Sequence, residues 1–150
     1  VNRDEPVAEI RVLIMKVDLY SMMNGYGFCA PVSGGGDRVY FRVEDFVRLE
    51  PGEPLPIAGE VVEVPEVLLS DGRSPRASSV QRTIPPKKMQ GTVKSFDSAK
   101  GWGFIERGPD LFFLHRSDLV ATFTPVIGTT VEFYAGEKKG RPRACYVARV

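Results

Sequence analysis

The chain has 150 residues, 43% hydrophobic and 26% charged, the composition of an ordinary soluble globular protein with one domain or two small ones. No apolar run reaches membrane-spanning length; the longest pieces, such as Val12–Met15, are strand-sized. The net charge of +1 is unevenly divided, −4 over residues 1–86 and +5 over residues 87–150, so only the second part suits a polyanion.

Taken in order, the elements read as strands. The first is expected over Ile10–Tyr20, with an insertion before Gly25, followed by the aromatic run Tyr26-Gly27-Phe28-Cys29. A glycine-rich loop, Ser33–Asp37, leads to Val39-Tyr40-Phe41. Turn signals at Pro51-Gly52 and Asp71-Gly72 bracket Gly59–Val64, and Pro75-Arg76-Ala77 follows. After Thr83–Lys88, whose two prolines predict a short, semi-extended linker, come Gly91-Thr92-Val93-Lys94 and Lys100-Gly101-Trp102-Gly103-Phe104-Ile105. Gly108-Pro109-Asp110 turns the chain into Leu111–His115, and Lys138-Lys139-Gly140 marks a last hairpin. No window carries a helical apolar period, so the fold is expected to be all-β, built as small sandwiches or barrels.

The two parts repeat one pattern. Asn24–Cys29 aligns with Lys100–Ile105, Val39–Phe46 with Phe112–Leu119, Gly59–Val64 with Gly128–Phe133, and Pro75–Ala77 with Pro142–Ala144. Four blocks in one order predict a degenerate duplication: domains at 1–82 and 89–150, joined by 83–88.

Side chains alternate across a strand, so Trp102 and Phe104 share one face, as do Phe113 and His115. Phe112 and Leu114 point to the core. Rings at every second position, spaced by glycines, form a surface able to receive unstacked bases, with Lys94, Lys100 and Arg107 nearby for phosphates.

On Gly91–Lys94, Lys100–Ile105 and Phe113-Leu114-His115, the C-terminal part resembles the cold-shock domain family over residues 89–150. The resemblance implies a five-stranded antiparallel barrel of the oligonucleotide-binding type, hence two such barrels in tandem, binding single-stranded RNA or DNA, often as an RNA chaperone. An RRM is set aside: there the Lys-Gly aromatic motif follows its partner, and the residues between Phe104 and Phe113 leave no room for a helix.

Carried over by position, the implied contacts are Lys94, Phe96, Lys100, Trp102, Phe104, Phe113 and His115, with Phe123 as a further stacking ring and Arg141 and Arg143 near phosphates. Ser95 stands where the family usually has tryptophan, which removes one platform. In the divergent first domain Tyr26, Phe28 and Tyr40 keep three ring positions, while Arg42 takes the histidine position and Asn24 the lysine position. The acidic first domain also suits a different role: meeting a protein partner, or folding back on the basic face as a nucleic-acid mimic.

The sole histidine, His115, has no cluster at metal-ligand spacing, and no carboxylates stand at catalytic spacing. Neither an enzyme nor a metal or other cofactor is expected. Asp97 reads as a turn residue. Cys29 and Cys145 fall at apolar strand positions, read as buried thiols of a reducing compartment; with no signal-peptide pattern, a cytoplasmic location is expected.

Overall fold

The computed structural model describes residues 12–34, 36–69 and 75–150, so the Asp71-Gly72 turn lies outside the described residues. The strands of the first unit are β1 (Leu13–Ser21), β2 (Tyr26–Pro31), β3 (Val39–Arg42), β4 (Phe46–Val47), β5 (Val61–Val64), β6 (Val67–Leu68), β7 (Arg76–Ala77) and β8 (Val80–Arg82). The second unit has β9 (Lys88–Asp97), β10 (Trp102–Arg107), β11 (Asp110–His115), β12 (Thr130–Lys138) and β13 (Arg141–Arg149). The helical content among the described residues is two single 3-10 turns, Val43–Asp45 and Arg116–Asp118.

The second unit is a closed barrel in the order β10-β11-β13-β12-β9. The first runs β4-β8-β5-β1-β2-β3-β7-β6. Its ring is the same five-stranded one with two strands broken: β5 and β6 flank Pro65-Glu66, β7 and β8 flank Ser78-Ser79, and the two interrupted strands pair with each other. Proline donates no ladder hydrogen bond, so Pro65 is a physical reason for the first break.

Register confirms the duplication at atomic level. Tyr40 lies opposite Arg76 in parallel pairing, and Phe113 lies opposite Arg143 likewise. Gly59 N–H donates to Val17 O at 2.7 Å, and Gly128 N–H to Val93 O at 2.9 Å. The two cores correspond residue for residue: Val17, Cys29, Phe41, Val62 and Val64 in the first, Val93, Ile105, Leu114, Val131 and Phe133 in the second. Both cysteines are buried and free, and burial pushes each thiol up to about 12.

The expected insertion before Gly25 is not there. Gly25 N–H donates to Ser21 O (2.8 Å) just as Gly101 N–H donates to Asp97 O (2.7 Å), so both turns have one length. The register slips between Val17 and Leu19 on β1, and between their counterparts Val93 and Ser95 on β9. Asp18 therefore occupies the bulge position that Lys94 holds in the second barrel.

The barrels pack on each other through a small, specific contact. The Pro56–Gly59 segment lies against β12 and β13, with Glu137 N–H donating to Ala58 O (2.8 Å) and Lys16 paired to Glu137 (3.2 Å). A Cβ on Gly136 would stand 2.8 Å from Ala58 O and 2.6 Å from Cys145 Sγ, so only glycine permits this approach. Tyr146 sits in the left-handed region (φ 52°), at a bulge of β13, and its hydroxyl donates to Pro56 O at 2.7 Å. That backbone conformation costs a non-glycine residue about 1–2 kcal/mol and is offset by the packing of the half-buried ring and its hydrogen bond. Burial also raises the Tyr146 hydroxyl above its ordinary range.

Candidate nucleic-acid interface

β10 and β11 pair antiparallel with Trp102 opposite His115 and Phe104 opposite Phe113. Cross-strand partners share a face, so the four rings come together by register alone. Trp102 lies 6.1 Å from Phe104 and 6.0 Å from Phe113, Phe104 is 5.9 Å from Phe113, and Phe113 is 6.4 Å from His115. Trp102 is 39% exposed and the other three rings are half-buried, while Phe112 and Leu114 on the opposite face are in the core. The rings touch edge and face, so their outer surfaces, and not any gap between them, are what is open to a flat ligand.

Glycine makes this platform flat. A Cβ on Gly103 would run into Ser95 O and the Phe96 backbone, and one on Gly27 into Leu19 O and the Phe41 ring. The inward side is thus filled by neighbouring chain, which leaves the aromatics the outward side. Asp97 caps the β9–β10 turn, accepting from the N–H groups of Ala99 and Lys100 (2.9 and 3.0 Å). His115 Nδ1 accepts from Ser117 N–H at 3.1 Å, so the neutral ring carries its proton on Nε2, a donor for a base edge.

The cations divide into free and engaged ones. Lys94 is exposed and 3.7 Å from Glu106, a solvent-screened pair of little strength. Lys100 and Arg141 are exposed, and Arg107 donates to Gln90 O at 3.0 Å. Arg143, expected near phosphates, instead binds Asp118 at 2.9 Å with both side chains largely covered. Burial raises the Asp118 carboxyl above its ordinary range, and Arg143 pulls it back. Phe123 and Phe96 pack against the hydrophobic core, Phe123 with Arg149 5.6 Å from its ring centre. Both still line a depression of about 420 Å³ with Gly101 and Arg116.

The first platform keeps its rings but not its openness. Tyr26, Phe28 and Tyr40 stand 5.7–6.1 Å apart, as in the second barrel. The Arg38 guanidinium lies 4.5 Å over Phe28, held by Asp18 at 3.1 Å. Arg42 donates to the Tyr40 hydroxyl at 3.2 Å. A carboxylate in the lysine position and an arginine over the ring give this surface a built-in occupant. The Asp18–Lys94 correspondence could have been read from the equal spacing back from Gly25 and Gly101; the Arg38 cap had no sequence signal, since it reaches across from the β2–β3 loop. Three carboxylates of the acidic excess are internal: Asp45 pairs with Arg76 (3.1 Å), and Glu53 and Glu60 pair with the buried Arg82 (3.3 and 2.8 Å).

Residues 89–150 match the model of the "Cold-shock" DNA-binding domain. No curated protein matches the chain. Among solved structures, one described as drosophila Unr CSD456 is similar at a TM-score of 0.38 and 18% identity, over 93% of this chain. The chain spans 63% of that structure's length. The match of residues 89–150 to that model agrees with the geometry of the second barrel's exposed face.

Proposed function

We propose that the protein binds single-stranded RNA or DNA by stacking bases on Trp102, Phe104, Phe113 and His115, a reading supported by the match of residues 89–150 to the cold-shock domain model. The observation that carries this reading is the exposed, glycine-backed ring cluster on the one barrel whose charge is positive. Lys94, Lys100, Arg107 and Arg141 hold the backbone, a sequence-tolerant arrangement. A base stacked on a ring cannot also be paired, so binding shifts RNA toward open structures without an energy source, as an RNA chaperone does. The first barrel acts as a docked companion, with Arg38 lying over the Phe28 ring of its platform.

Titration of Trp102 fluorescence tests this. A single-stranded oligopyrimidine is expected to quench it and a duplex far less, with Trp102→Ala costing about 1–3 kcal/mol of affinity. Affinity is expected to fall with salt at a log–log slope of about −0.7 per phosphate neutralised. Undiminished affinity in the Phe104→Ala/Phe113→Ala double variant refutes the platform.

The first barrel as a protein-binding module is the second reading, favoured by the Arg38 guanidinium that already occupies its Phe28 ring. Its role as a mimic of nucleic acid is weakened by Asp45, Glu53 and Glu60, whose charges are already matched within the domain.

A further inference from the structure

The ring platform of the second barrel does not end at its own rim. Phe113 and His115 continue into a cleft of about 850 Å³ between the barrels, whose far wall is the end of β1 and the β1–β2 turn, Leu19 to Met23. That wall is apolar and open: Leu19 is 41% exposed, Met22 40% and Met23 94%. The cleft also holds Lys138 and Arg116, both exposed. Its two carboxylates, Asp18 and Asp118, are matched by Arg38 and Arg143. The docking contacts at Ala58–Glu137 and Pro56–Tyr146 hold the two walls at a set spacing.

We infer that this cleft is an extension of the nucleic-acid track, in which the strand leaving Phe113 and His115 lays a base against Met22 and Met23 and a phosphate near Lys138. The first barrel then contributes to binding through its turn and not through its own rings. Methionine is well matched to such a wall, because its thioether is polarizable, makes favourable contacts with aromatic faces and adapts to any base. The occupant is the same single strand because the cleft shares Phe113 and His115 with the ring platform, and the exposed Lys138 and Arg116 line it beyond them. The inference rests on the proposed function of the second barrel.

The four methionines of the chain make the test local: Met22 and Met23 line the cleft, Met15 is buried and Met89 is half-buried beside the second core. The intact protein carrying isotope-labelled methionine methyls is titrated with oligothymidylate of about 12 nucleotides, within the site sizes of oligonucleotide-binding barrels. Trp102 quenching is followed in parallel. The Met22 and Met23 methyls are expected to shift in step with the quenching while Met15 stays put. Met22→Ser/Met23→Ser is expected to weaken binding about fivefold with Trp102 still quenched at saturation. Quenching with unmoved Met22 and Met23 methyls, or an unchanged affinity in the double variant, overturns the cleft and leaves the platform standing. Absence of quenching removes both. Methyl shifts that follow protein concentration in the absence of oligonucleotide assign the cleft to a second copy and overturn the inference.

Discussion

The Arg38 cap can be removed without changing the charge of the protein, which isolates what it does. Arg38 over Phe28 is an exposed cation–π contact, worth about 0.5–1 kcal/mol, and its ion pair with Asp18 contributes about 0–1 kcal/mol. A base arriving at Phe28 must displace both, so the cap weakens stacking there by about 0.5–2 kcal/mol, or roughly two- to thirtyfold. Asp18→Ala/Arg38→Ala removes one charge of each sign and leaves long-range attraction for phosphate unaltered to first order. In a protein whose second platform is disabled by Trp102→Ala, Phe104→Ala and Phe113→Ala, the double change is expected to tighten binding of an end-labelled oligothymidylate by that factor, read by anisotropy at fixed salt. Arg38→Ala alone is expected to gain less, because it bares the ring but leaves Asp18 facing the phosphates. Equal or weaker binding in the double variant refutes the account of a ring closed by its own arginine.

Ser95 is paired across from Phe104 on the platform face, so Ser95→Trp is expected to add a stacking ring and about 1–3 kcal/mol of affinity, measured by the same anisotropy titration. Gly103→Ala puts a methyl against the Ser95 and Phe96 backbone, an overpacking of about 1–3 kcal/mol; thermal unfolding of the second barrel is expected to fall by at least about 4 °C, and an unchanged Tm contradicts the close approach. Arg143→Met leaves the largely covered Asp118 carboxylate without its cation, at a cost of up to about 3 kcal/mol near neutral pH. Because burial already raises the Asp118 carboxyl, the folded variant binds a proton more readily than the unfolded chain. Its deficit against the unaltered protein is therefore expected to shrink as pH falls through the raised range, and a deficit that grows with acid, measured by urea unfolding, sinks this reading.

Much of this protein was legible as written. Alternation along β10 and β11 determines which rings share a face, and hairpin register then brings Trp102 to His115 and Phe104 to Phe113, because strand pairing is local and has a period of two. The duplication was readable too, since the same glycine-turn and β-branched blocks recur in one order. Sequence alone did not show that Arg143 is held by Asp118, that Phe123 packs on the core, or that Arg38 lies over Phe28. Each of these depends on where a loop or a distant strand lands in space. The docking of Tyr146 on Pro56, and the cleft it keeps open, belong to the same class. A contact between two domains is set by shape and by a bulge that re-aims one side chain, and neither leaves a period in the chain for a reader to find.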